Sequence, residues 1–190
     1  MPATLLTTQL LVSKLGLTLS AAERLHTLAP FLTPSVILNL GVGAYHLMVG
    51  LLLGTVKYAQ IHSSKTATAH PYISTAHRAS LMYGFASAQL AVFAGLSSWT
   101  ERTNVGATVA AQTFFVSAVA TYAIHGILRD TTNQLKAPHK LGERRQLPAW
   151  MVRGFMIALV IAEVGGCGVL TAGAFKTFYH ILSTSSSFTM

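Results

Sequence analysis

Apolar and polar positions along this chain fall into blocks instead of alternating. Long apolar runs, roughly Val36–Tyr58, Leu81–Trp99, Val105–Leu128 and Trp150–Phe175, are separated by polar connections. Each run comes close to or exceeds the roughly 20 residues that a helix needs to cross the hydrocarbon of a bilayer. The blocks therefore predict an all-α integral membrane protein, a four-transmembrane-helix bundle over residues 36–178. Ahead of it, Ser20-Ala-Ala-Glu23 has the capping-box pattern, which predicts a short interfacial helix up to Pro30 within an N-terminal segment, residues 1–35. Pro30 and Pro34 break the chain before the first span. Residues 179–190 form a polar tail, and its end, STSSSFTM, is expected to fray.

The connections are unequal. Residues 100–104 predict a tight hairpin that makes spans two and three antiparallel neighbours. The other two connections, about 59–76 and 129–149, are longer and hold most of the polar chemistry. Lys57, Lys65, Arg78, Arg129, Lys136, Lys140, Arg144, Arg145 and Arg153 fall with these longer loops, against Lys14, Arg24, Arg102 and Lys176 on the other side. The positive-inside bias puts the long loops in the cytoplasm and both termini across the membrane. Gly50/Gly54, Gly84/Ala88, Ser87/Ala91/Gly95 and Gly168/Ala172 repeat small residues at the spacing that lets helices approach closely in lipid.

Composition agrees with the blocks. Only 9% of the chain is charged and 52% is hydrophobic, where a soluble domain carries about a quarter charged residues. The net charge of +8 does not form a basic stripe with interleaved aromatics, so nucleic acid is not an expected partner. Lipid is. The single cysteine, Cys167, lies in the apolar run EVGGCGVLTAG and reads as a small buried hydrophobe. MPATLLTTQLLVSK lacks the positive start of a secretory signal and reads as mature protein. The chain fits an endoplasmic reticulum membrane if eukaryotic and an inner membrane if bacterial.

Some residues are not explained by lipid. An ionisable group within a span is tolerated only where it faces protein, water or a cofactor. His46 and Glu163, near the middles of spans one and four, are expected to form a buried polar pair. His77 and Arg78 stand at the mouth of span two. Tyr122, His125 and Arg129 are each a helical turn apart on one face of span three. Arg78, Tyr122, His125, Arg129, Asp130 and Asn133 should gather as a polar collar at one membrane depth. No Ser/His/Asp set, phosphate loop, HExxH or histidine-box cluster is present. A lone histidine at a helix end can still serve as the single axial ligand of a haem, whose open iron position can act as a Lewis acid.

The segment AHRASLMYG, residues 76–84, resembles one in the bacterial styrene oxide isomerases. There Ala-His is followed by three variable residues, Leu, one further residue, a polar residue and Gly. The link LSSWTERT is similar to that family's short polar connection between spans two and three. Tyr122, late in span three, falls near the place of the family's active-site tyrosine. Asn133 and Pro138 follow in a loop of similar length, and a Gly/Ala-rich fourth span closes both chains. The resemblance covers roughly residues 36–178. It departs at Tyr83, where the family has asparagine, and at Phe114, where an acidic residue is expected.

The resemblance implies a trimeric, four-span enzyme with haem b at the subunit contacts. Such an enzyme isomerises a small hydrophobic epoxide to a carbonyl compound by the Meinwald rearrangement. On matching positions His77 is the axial ligand of the iron, and Tyr122 and Tyr83 are catalytic-pocket residues. Arg78 and Arg129 are candidates to hold the haem propionates, as guanidinium forks bind carboxylates. Residues six apart on a helix are turned by about 240°, so His77 and Tyr83 should face different spaces. Three other readings stay open: a metal-free membrane cyclase or isomerase using Glu163 or Asp130 as acid, a haem electron carrier ligated by His77 and His125, and a structural membrane subunit.

Overall fold

The structure, a computed structural model, describes residues 23, 24, 27–142 and 144–186. Four long helices dominate it: α1 (Pro34–Ser63), α2 (Pro71–Leu96), α3 (Glu101–Leu128) and α4 (Ala149–Ser186). All four are long and apolar enough to cross a membrane, and they pack as the expected bundle. A 3₁₀ turn, Ala29–Phe31, leads into α1. The predicted interfacial helix falls largely outside the described residues, although Glu23, Arg24, Thr27 and Leu28 are helical.

Helix ends follow local chemistry. Pro34 and Pro71 occupy the first turns of α1 and α2, where a missing backbone N–H costs nothing. Thr100 caps α3 by accepting from the Thr103 N–H at 3.3 Å. Glu101 also reaches across to α1, accepting from the Ser35 N–H at 2.7 Å and the Ser35 hydroxyl at 3.2 Å. One carboxylate thus sits between two helix N-termini, where the dipoles favour a negative charge.

Several expected boundaries move. The first long connection shrinks from about 59–76 to residues 64–70, because α1 continues to Ser63 and α2 starts at Pro71. Gln60 explains the extension: it is buried, donates to Gly126 O at 3.2 Å and accepts from the His70 N–H at 2.9 Å. Consequently His77 lies well inside α2 and not at its mouth. The second connection, expected to be loop throughout, holds a small antiparallel hairpin of β1 (His139–Leu141) with β2 (Arg145–Leu147). The link between α2 and α3 is residues 97–100. The tail is helical through Ser186, so its first residues do not fray.

Helices α1 and α2 meet backbone to backbone. A Cβ on Gly43 would stand 3.2 Å from Gly84 O, and one on Gly84 would stand 3.3 Å from Gly43 O. Further along the same seam Gly50 faces Leu81 and Gly54 faces His77. On α4 the expected pair does not pack within the chain. Gly168 and Ala172 are exposed, while Gly166 packs on Ala107 and Ala111 of α3 and Gly173 packs on Ser97 and Trp99.

Two apolar clusters fill the bundle. One joins Val36, Leu90, Ala91, Ala94, Phe115 and Leu170; the other joins Leu53, Ile73, Ala76 and Val119. Between helices runs a buried polar chain. Asn39 donates to Thr108 Oγ1 and to Ser35 O, each at 2.9 Å. Gln112 donates to Asn39 Oδ1 at 2.7 Å and accepts from the Ser87 hydroxyl at 3.0 Å. In hydrocarbon no water can satisfy these amides, so the helices satisfy one another.

Candidate functional site

His77 projects from α2 onto the glycine face of α1. Its Nδ1 lies 2.7 Å from Gly50 O. A carbonyl only accepts, so Nδ1 carries the proton and Nε2 keeps its lone pair. Gly54 makes room for the ring, since a Cβ there would stand 3.0 Å from His77 Cε1. The ring is half-buried. A backbone carbonyl on one ring nitrogen fixes tautomer and orientation, as such a bond does for histidines that ligate metals. The donor set fits a single axial ligand. It does not fit a chelated ion, because no group of three or more His, Cys, Asp or Glu side chains is placed to hold one among the described residues.

Tyr83 turns to the other side of α2, as the helical rotation requires. Its ring stacks on Phe115 at 4.1 Å between centroids, and its hydroxyl donates to Glu163 Oε1 at 3.4 Å. The His46 ring lies 5.8 Å from the Tyr83 ring, with Nδ1 at 3.4 Å from Ser80 Oγ. His46 and Glu163 are therefore not a direct pair; Tyr83 stands between them. His46 Nε2 is buried and has no hydrogen-bond partner among the described residues.

The expected collar is only partly assembled. Tyr122 stacks on Tyr72 (5.8 Å, 12° between planes), and Tyr72 lies 5.7 Å from the His125 ring. His125 Nδ1 is 2.8 Å from Asp130 Oδ1. Asp130 Oδ2 accepts from the Gly142 N–H at 2.6 Å, which ties the hairpin to the end of α3. Burial alone would raise the Asp130 carboxyl, but the bonds from Gly142 and His125 outweigh it and hold the group below its ordinary range. Arg78, Arg129 and Asn133 are exposed, and Arg129 and Asn133 line one hollow with Asp130. Arg129 ends α3 in a left-handed conformation (φ 54°), donating its N–H to His125 O at 2.8 Å. It borders a hollow with Gln60, His70 and Pro71. That hollow lies about 9 Å along α2 from His77, at 1.5 Å per residue.

Sequence reasoning missed Tyr72, Gln134 and Gly142. Tyr72 Oη accepts from the Gln134 N–H at 2.6 Å, clamping the start of the second connection to α2. A tyrosine one residue into a helix expected to begin about ten residues later carries no signal. The electron-carrier reading also loses its geometry within one chain, since His77 faces α1 while His125 faces Tyr72 and Asp130.

Comparison with protein-family models, curated proteins and solved structures gives no match. The chain is described by its own geometry: a bundle of four candidate membrane spans with polar groups buried inside it.

Proposed function

We propose that this chain is a membrane-embedded isomerase that holds haem b through His77 and rearranges a small hydrophobic epoxide to a carbonyl compound as a homotrimer. The observation that carries this reading is the His77 ring, with Nδ1 bonded to Gly50 O and Nε2 left as a lone pair at the edge of the α1–α2 seam. When bound, haem b supplies an open Lewis-acid position. Arg78, exposed beside His77, is the nearer of the two candidate propionate partners, and Arg129 lies at the end of the bundle.

The reaction breaks one carbon–oxygen bond of the epoxide and moves a hydride or alkyl group to the neighbouring carbon. The oxygen becomes the carbonyl oxygen. The chain must then exclude water, orient the epoxide and stabilise developing positive charge. Apolar spans do the first. Tyr83 and Tyr122 present ring faces suited to the last, and Glu163 fixes the Tyr83 hydroxyl. His77 and Tyr83 face different spaces within one chain, so a trimer with haem at its contacts accommodates both.

One observation favours a second reading. The Tyr83–Glu163 contact, with His46 behind it, could deliver a proton to an epoxide oxygen without metal. Purified protein separates the two. The haem reading expects a Soret band, its loss in His77→Ala, and turnover in the ferric state without oxygen or NAD(P)H. Colourless protein that is fully active, with Glu163→Gln inactive, overturns the haem reading and supports the second. Activity that requires oxygen and electrons overturns both.

A further inference from the structure

A cavity of about 220 Å³ lies between the end of α3, the hairpin and the start of α4. It is larger than the roughly 150 Å³ engineered cavity that takes up benzene. Most of its wall is apolar, from Leu135, Leu147, Met151, Val152, Phe155 and Met156. His125, Gln134, His139 and Lys140 supply the polar part of the wall. It has no lining residue in common with the His77 seam or the Tyr83–Glu163 contact, so a ligand held there is independent of the isomerase reading.

We propose that this cavity binds a small apolar molecule carrying one hydroxyl group, a phenol or comparable alcohol. Apolar walls with a few placed polar groups are the usual form of a small-molecule site. The polar groups here specify a hydroxyl. Asp130 Oδ1 is 2.8 Å from His125 Nδ1; a carboxylate only accepts, so Nδ1 carries a proton, and in the tautomer this fixes the other nitrogen, Nε2, is the acceptor. Gln134 Oε1 is buried with no hydrogen-bond partner among the described residues, and a buried acceptor is normally satisfied. A hydroxyl donates its one proton to one of these acceptors. Lys140 adds a donor for the hydroxyl oxygen, whereas the His139 Nδ1 proton is already donated to Gln134 O at 3.1 Å. The hairpin is a fixed wall, because the Gly142 N–H holds Asp130 Oδ2 at 2.6 Å and the Gln134 N–H holds Tyr72 Oη at 2.6 Å.

The test uses the full chain in lipid nanodiscs, with methionine methyls labelled with ¹³C and 2-naphthol or naphthalene as the probe. Met156 and Met151, the latter itself 45% exposed, line the cavity, while Met48 and Met82 are 57% and 69% exposed on the outer faces of α1 and α2 and report partition into lipid. The expected result is saturable shifts of Met151 and Met156, at least about tenfold tighter for 2-naphthol than for naphthalene. His125→Asn keeps a donor for Asp130 but removes Nε2, and should weaken 2-naphthol by about tenfold while leaving naphthalene unchanged. Val152→Trp should abolish the saturable shifts. Equal affinity for the two probes overturns the proposal, as do shifts of Met151 and Met156 that merely track those of Met48 and Met82. These wild-type arms decide the matter even where a variant fails to fold.

Discussion

At the residue scale, a chain of uncharged polar side chains ties the spans together inside the bundle. Asn39, Thr108, Gln112 and Ser87 tie α1, α2 and α3 through one buried chain of hydrogen bonds. Gln112→Leu would leave Asn39 Oδ1 short of a partner, while the Ser87 hydroxyl keeps Tyr83 O at 2.7 Å. A buried polar group left unpaired costs about 1–3 kcal/mol in soluble proteins, and hydrogen bonds measured within membranes average about 0.6 kcal/mol. The expected loss is therefore about 1 kcal/mol, read as a lower thermal midpoint in detergent. Gln112→Leu with an unchanged midpoint would show the chain to be incidental. None of this network was legible in the sequence. Ionisable residues in a span draw attention because their cost is plain, whereas Asn39 and Gln112 meet across 73 positions with no local pattern. The His125–Asp130 contact was easier to foresee, because the two stand five residues apart at a helix end.

At the element scale, the hairpin depends on Asp130. Its two carboxylate oxygens bridge the last turn of α3 and the turn of the hairpin, through His125 and Gly142. Gly142 has φ 72°, a conformation that favours glycine, which places its N–H without strain. The Asp130 pKa is depressed in the folded state relative to its ordinary 3.8. The unfolded chain therefore binds the proton more readily, and the stabilisation is complete above that value and lost as pH falls through the folded pKa. Hydrogen exchange should show hairpin amides losing protection as pH is lowered below 3.8. Asp130→Asn should lack that acid step and show weakened protection at neutral pH. Protection that is the same in both proteins at every pH would remove Asp130 from this role. The hairpin itself was not legible because each of its strands is three residues long, too short for an alternating pattern to stand out.

At the scale of the whole molecule, the four helices were legible because hydrocarbon demands long apolar blocks, and their ends were not. The last turns of α1 read KYAQIHS, polar enough to pass for loop, yet Gln60 keeps them helical against α3 and His70. Once the chain leaves hydrocarbon, composition no longer separates helix from connection. The corrected ends sharpen a prediction about orientation. Residues 64–70 and 129–148 lie at one end of the bundle and residues 97–100 at the other, and basic residues favour the first end, which the positive-inside rule assigns to the cytoplasm. Cys167 is the only cysteine, so a Cys167→Ala background permits single-site labelling. Thr66→Cys, Lys140→Cys and Ser98→Cys each replace an exposed residue in a connection. With a membrane-impermeant maleimide on sealed vesicles of known sidedness, the first two should label from the cytoplasmic face and Ser98→Cys only from the opposite face. Ser98→Cys labelling from the cytoplasmic face, with the other two from outside, would invert the orientation and keep the bundle. All three labelling from one face would break the four-span arrangement, because α2 then could not cross between Thr66 and Ser98.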